Sequence, residues 1–383
     1  MTAADLPDPL PDLLTIPTPA LILDLERLTR NIARMSAHVA RLGARLRPHI
    51  KTHKCPPIAR QQVAGWFGGV TISTLAEGFA FADAGFDDLL YAVPLEPGKF
   101  RRACDLARRV RRLAVITDDP DLPPLLSAAA MAAGVALDVF IEIDCGDGRT
   151  GLPFADAARI ARTARAIAGA KGLALAGVLT HAGQAYAARA ADERRAIAEL
   201  ERDRMQRVAA ELERLGLEAP CVSIGSTPAI VALDAPLPPN FEVRPGNYAF
   251  FDAFQAQCGV CAFDDCALTV LTAVIHRGAD KVVTDAGAIA LSKDIGASDF
   301  FAKSGYGLVG DVAGRSLGLR VAAVAQEHGR IPVPDRALLD RLPLGARLRI
   351  APNHSCLTAA QHAHYWVVVA DRVVDRWPVA RGW

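Results

Sequence analysis

At 383 residues, with 51% hydrophobic and 22% charged side chains, the chain can bury a large core and has no need of disorder, and its length suggests two domains or one barrel plus an addition. Its 43 basic and 42 acidic residues nearly cancel, which argues against a large basic footprint for nucleic acid or anionic membrane and leaves a small neutral or zwitterionic partner. The opening MTAADLPDPLPDLL has no basic segment and no apolar core of leader length, and the longest apolar run, LPPLLSAAAMAAGVAL, is broken by Pro123 and Pro124. A cytoplasmic protein with eight reduced cysteines is therefore expected.

In chain order, PALILDLERLTRNIARMSAHVARLG reads as a strand and a helix. Eight apolar runs follow, LRPHI, GVTIS, LLYAV, LAVIT, DVFIEI, LALAGVLTH, CVSIG and FEVRPGNYAFF, alternating with helical segments such as TLAEGFAFADAG and the charge-laced ADERRAIAELERDRMQRVAAELERLG. Eight strands, each followed by a helix, predict an α/β fold with a closed (β/α)8 barrel over residues 20–252. After Asp252 the texture changes to Val- and Thr-rich runs between turns: ALTVLTAVIHR, DKVVTDAGAIALS, GLRVAAVAQEHG, ARLRIAPN and YWVVVADRVVDRW. A C-terminal all-β domain is expected over 253–383, with residues 1–19 packed on it.

In such a barrel the site lies at the carboxyl ends of the strands, so the polar residues following each strand are the ones to collect. Lys51 follows strand one, and Arg149 lies in DCGDGRTG after strand five. His181, Gln184 and Tyr186 lie in THAGQAY after strand six, GSTP (Gly225 to Pro228) follows strand seven, and RPGNY (Arg244 to Tyr248) falls in strand eight. Small residues and backbone N–H donors after strands seven and eight suit a phosphate, and a lysine opposite them suits an aldehyde. Together they point to pyridoxal 5'-phosphate, with one lysine forming a Schiff base and later serving as a base. Strand alternation in RPHIK puts His49 and Lys51 on one face, while Lys54 follows the turn. A solvated loop is the common fate of a lone lysine; four matching loops favour the site.

Two clusters invite a metal. CGVCAFDDC carries Cys258, Cys261 and Cys266, but one C-x-x-C without a second pair is weak evidence for zinc. In APNHSC, His354 and Cys356 are two apart near the end of an expected strand, where alternation would aim both side chains one way. Imidazole with thiolate suits zinc, although a buried Cys beside a satisfied His is the commoner case.

The segments RPHIKTHK, EIDCGDGRTG, THAGQAY, GSTP, RPGNY, DAGAIALSKD, EHG and PNHSC, in this order over nearly the whole chain, resemble the D-serine dehydratase and D-threonine aldolase family. The resemblance implies the alanine-racemase-like fold, with Lys51 as the Schiff-base lysine. It implies that Gly225, Ser226, Thr227, Gly246 and Asn247 hold the phosphate, with Arg149, His181, Tyr186 and Tyr248 near cofactor or substrate. It also implies a divalent metal on His354 and Cys356, zinc before manganese or magnesium, and a homodimer. Dehydratases of the family carry His and Cys at that position and aldolases His and Asp, so the expected reaction is elimination on a D-3-hydroxy amino acid, D-serine to pyruvate and ammonia. Cleavage of D-threonine or D-3-hydroxyaspartate is the alternative, with an amino acid racemase or a non-catalytic cofactor-binding protein third. His276, His362 and His364 receive no role. The lysine assignment predicts that Lys51→Ala abolishes the absorbance band of lysine-bound cofactor while Lys54→Ala keeps it; loss of the band in Lys54→Ala alone would reverse the assignment.

Overall fold

The computed structural model describes residues 11–296 and 304–383. The chain divides into two compact units, each assembled from separate stretches. One takes the chain up to Arg34, then Thr52–Cys55 and Asn247–Val379; the other takes Met35–Lys51, Pro56–Gly246 and Ala380–Trp383.

The second unit is the barrel. Its parallel strands are, from one to eight, Arg45–Leu46, Val70–Ile72, Asp88–Pro94, Arg112–Thr117, Leu137–Asp144, Leu173–Leu179, Cys221–Ile224 and Phe241–Val243. Each pairs with the next from strand two to strand eight, strand eight pairs with strand one, and a bridge between His49 and Thr71 joins strand one back to strand two. All eight expected strands are present, with the alternation of strand and helix that a parallel sheet requires. Leu90, Ala114, Ile116, Phe140, Ala176, Leu179 and Cys221 form one buried apolar cluster across strands three to seven. Strand six carries Gly177 at φ 152°, where a Cβ would stand 1.9 Å from the Cys221 carbonyl oxygen, so only glycine lets strands six and seven approach this closely.

A chain of buried ion pairs runs through these strands. The Arg47 guanidinium, 2% exposed, donates from Nε to Glu242 on strand eight (2.9 Å) and from an Nη to Asp88 on strand three (2.7 Å). Arg112 on strand four links Asp88 to Asp138 on strand five. On the other side, Ser223 Oγ donates to Glu242 (2.7 Å), and Arg244 donates to Ser223 Oγ (2.6 Å) and to the Thr180 carbonyl. Burial opposes ionisation of Glu242, but Arg47 and the Ser223 hydroxyl outweigh it and hold its pKa below the usual carboxylate range.

The other unit is built on a ten-stranded, mostly antiparallel sheet. Its main path runs Ser316–Arg320, Gly307–Gly310, Arg347–Pro352, Leu268–Arg277, Ala20–Asp24, His364–Val369 and Arg372–Pro378. The N-terminal strand Ala20–Asp24 lies here, antiparallel to Leu268–Leu271 and parallel to Trp366–Val368. Leu13 and Ile16 pack with Ile22, Leu271, Val368 and Val373, so the described part of the N-terminal segment packs on this sheet; residues 1–10 lie outside the described residues. No described helix is long and apolar enough to cross a membrane.

Two register expectations fail. Ile50–Thr52 is a 3-10 turn, so strand alternation does not reach Lys51. The strand expected to carry His354 and Cys356 stops at Pro352; His354 caps the helix Ser355–Gln361, in which Cys356 is the second residue.

The ion chain predicts a sharp asymmetry. Arg47→Met should cost about 3–5 kcal/mol of unfolding free energy, because it strands the buried Glu242 carboxylate and leaves Asp88 only its longer contacts with Arg111 and Arg112. Adding Glu242→Gln to Arg47→Met should recover part of that loss. Urea denaturation measures both, and an Arg47→Met protein as stable as the parent would show that the ion chain is dispensable.

Candidate active site

The barrel's expected site residues are assembled from strand ends. Lys51 is half-buried in the 3-10 turn after strand one, and its backbone N–H faces His49 Nδ1 (3.4 Å). His181 follows strand six; its Nδ1 lies 3.2 Å from the Gly225 carbonyl oxygen after strand seven. A carbonyl can only accept, so Nδ1 carries the proton and Nε2 offers a lone pair. Burial, then the positive charges of Lys51, Arg149 and Arg244, push the His181 pKa down to about 3. Those influences place the end of strand one, the loop after strand five and the end of strand eight around one neutral imidazole. Tyr186 completes the group, with its ring centroid 6.4 Å from that of His181.

The GSTP turn follows from its residue types. Gly225 has φ 112°, a region that disfavours side chains, and a Cβ there would meet Ile230 at 2.8 Å. Ser226 caps the short helix Thr227–Ala232 by accepting from the Ala229 N–H, and its hydroxyl donates to the Ala182 carbonyl (3.2 Å). Gly225, Ser226, Thr227 and Gly246 are all buried beside this turn or at the end of strand eight. Small buried groups, one lysine and two further cations, Arg149 and Arg244, fit an anionic aldehyde cofactor; the residues present suit pyridoxal phosphate.

The second group of expected residues lies in the other unit. Asn247 Nδ2 donates to Asp252 (2.7 Å) and to Ser355 Oγ (3.0 Å), and Asp252 also accepts from the Ser355 N–H and hydroxyl (both 3.1 Å). Asn247 and Asp252 thus pin the residue between His354 and Cys356. Asn247 Oδ1 is buried with no hydrogen-bond partner among the described residues, and Tyr248 is fully buried. His354 Nδ1 bonds to the Asp294 carboxylate, and the His354 ring also hydrogen-bonds Cys356. Burial opposes charge on His354, but Cys356 and Asp294 outweigh it and raise its pKa to about 11. Cys356 Sγ lies 3.2 Å from Thr52 Oγ1. Imidazole and sulfur facing each other, with the far ring nitrogen fixed by a carboxylate, is a donor set that suits a soft divalent cation. Two protein ligands are what this pair offers: no cluster of three or more His, Cys, Asp or Glu fit to hold a metal occurs among the described residues, at CGVCAFDDC or elsewhere.

Local sequence pattern did not single out Asp252, Asp294 or Glu201. Arg244 was collected with RPGNY but given no role of its own.

A parallel barrel whose strand ends gather a lysine, a neutral histidine and a glycine-serine turn defines a pyridoxal phosphate-binding fold. The family described as "Alanine racemase, N-terminal domain" matches residues 23–253, and the "Putative serine dehydratase domain" matches 267–368. The chain is 41% identical to D-threo-3-hydroxyaspartate dehydratase of Delftia sp. (strain HT23), covering 97% of this chain and 99% of that one. It is 30% identical to D-serine dehydratase of Dictyostelium discoideum (95% and 96% covered) and to D-threonine aldolase of Arthrobacter sp (96% and 93%). The solved structure of the Delftia dehydratase superposes with a TM-score of 0.92 at 39% identity (97% and 100% covered), and a cysteine-to-alanine variant, described as the metal-free form, with 0.93 (97% and 100%). The chain belongs to the alanine-racemase-like family of fold-type III pyridoxal phosphate enzymes, and it is a pyridoxal phosphate-dependent lyase.

The depressed pKa of His181 fixes a pH expectation. Its neutral form is the folded form down to about pH 3, whereas the ring in the unfolded chain protonates near its ordinary value. Its contribution to stability is therefore complete above that ordinary value and lost as pH falls toward the folded one. Ring NMR of His181 should show no protonation between about pH 8 and about pH 5; a midpoint inside that window would contradict the arrangement.

Proposed function

We propose that this lyase eliminates water from a D-3-hydroxy amino acid bearing a β-carboxylate, D-threo-3-hydroxyaspartate, giving oxaloacetate and ammonia. The observation that carries the substrate is 41% identity to the hydroxyaspartate dehydratase along almost all of both chains, against 30% to the D-serine enzyme, so D-serine takes second place. The reaction type rests on the His354 and Cys356 pair, the donor set that the family's dehydratases carry.

Bound pyridoxal phosphate supplies an electron sink for the pair of electrons left when the α-proton departs. Lys51 would hold the cofactor's aldehyde carbon and, once displaced by the substrate amine, take the α-proton on Nζ. Gly225, Ser226, Thr227, Gly246 and Asn247 would hold the phosphate, with Tyr248 beside them. Arg149, His181 and Tyr186 would face the ring or the substrate, His181 as an uncharged acceptor that leaves the local cationic field unchanged. His354 and Cys356 would hold a divalent cation, zinc on grounds of softness, whose chemistry is to withdraw electrons from the β-oxygen as hydroxide leaves. Asp294 would orient the His354 ring. The α-proton and the hydroxyl leave as water, and the water then consumed in releasing ammonia balances the equation.

A second reading, cleavage to glycine and glyoxylate, has support in the identity to a D-threonine aldolase. Incubation with D-threo-3-hydroxyaspartate, D-serine and D-threonine should yield ammonia and keto acid, fastest with the first; glycine as the main nitrogen product would establish the aldolase instead. Chelation should remove turnover while the cofactor's absorbance persists, with zinc restoring activity. His354→Ala should lower kcat/KM by more than about 100-fold, beyond what loss of a supporting group costs, and still bind cofactor. Full turnover in protein shown metal-free by elemental analysis would refute the metal role.

A further inference from the structure

The long helix Ala191–Arg214 buries Arg194, Ala198, Glu201, Met205, Val208 and Leu212, a stripe at the three- and four-residue spacing of a helix face turned toward the core. Glu201 stands in the middle of that stripe, 1% exposed, where an aliphatic residue would normally pack. A carboxylate buried there is costly unless it is hydrogen-bonded. Its Oε1 accepts from the Gly225 N–H at 3.0 Å, and the Ala182 N–H also stabilises its charge. These two amides flank the His181 contact: Ala182 is the next residue in the chain, and Gly225 supplies the carbonyl that receives His181 Nδ1. Ser226 closes the ring by donating its hydroxyl to the Ala182 carbonyl.

We infer that Glu201 is a positioning residue, a carboxylate carried in from the helix layer to lock the loops after strands six and seven together, thereby fixing His181 in one tautomer and setting the GSTP turn for the cofactor phosphate. Glu201 itself lies behind the two loops and acts through them. The inference rests on the barrel loops being the cofactor site. Burial lifts the Glu201 pKa to about 7, against the opposing pull of the Gly225 and Ala182 amides and of Arg244. Without it, the Gly225 and Ala182 amides lose their acceptor, and the Gly225 peptide is free to rotate its carbonyl away from His181.

The test uses the full-length chain as parent, Glu201→Gln and Glu201→Ala. Three quantities are read: the dissociation constant for pyridoxal phosphate, the ring nitrogen shifts of His181 in protein labelled with nitrogen-15 histidine, and the thermal midpoint. In Glu201→Ala, which removes the acceptor, the cofactor dissociation constant should rise by about tenfold, the scale of losing a group that orients a ligand-holding residue, and Glu201→Gln, whose amide oxygen still accepts, should lose less. In Glu201→Ala, His181 should change from a single Nδ1–H form to a mixture, at temperatures where the fold is intact. Parent-like cofactor affinity and unchanged His181 shifts in both variants would overturn the inference. So would an affinity loss that merely follows a lowered thermal midpoint with the His181 tautomer preserved. If the parent bound no pyridoxal phosphate, or if Lys51→Ala kept the cofactor band, the site reading itself would fall. The His181 shifts, read without cofactor, would still decide whether Glu201 fixes the ring.

Discussion

The barrel depends on one buried guanidinium. Arg47 stands where strand one ends and holds two carboxylates, Glu242 on strand eight and Asp88 on strand three, that have no other cation equally close. In a low-dielectric interior each of those acids would be costly alone, and together with Arg47 they become a geometric constraint. The position of strand eight against strand one decides where Arg244 emerges. Arg244 in turn clamps Ser223 of strand seven and the Thr180 carbonyl after strand six. The residues around His181 thus inherit their positions from a charge network one layer deeper in the barrel.

The same network sets the polarity of the site. Burial and the charges of Lys51, Arg149 and Arg244 bear on His181 together, so the ring stays neutral. A cofactor carrying a phosphate and a substrate carrying carboxylates both gain from those positive charges. Burial raises the pKa of two barrel acids, Glu201 and Glu142.

The eight barrel strands were legible because each is a short apolar run bounded by loop residues, and because strand and helix alternate without a break. Gly307–Gly310 and Gly329–Pro332 were not separately visible, since four residues opening on glycine carry too little pattern. Lys51 and the His354–Cys356 pair stood out by residue type, yet the alternation used to orient them does not apply: one lies in a 3-10 turn and the other at the start of a helix. A local run cannot show where a strand gives way to a turn when the turn is held by distant side chains, as Asn247 and Asp252 hold Ser355. Glu201 was hidden for a different reason. It belongs to a helix dense in charge, where one buried acid looks like its solvated neighbours until the packing is known.

The strand Ala20–Asp24 carries a consequence for how the chain is made. It is synthesised well before both of its partners, Leu268–Arg277 and His364–Val369. A parallel pairing of segments this far apart in sequence closes a long loop, and contacts of that kind form slowly. Until both partners have been made, this strand offers its unpaired edges to the solvent, and its brevity, five residues ending in Asp24, limits the risk of pairing with another nascent chain.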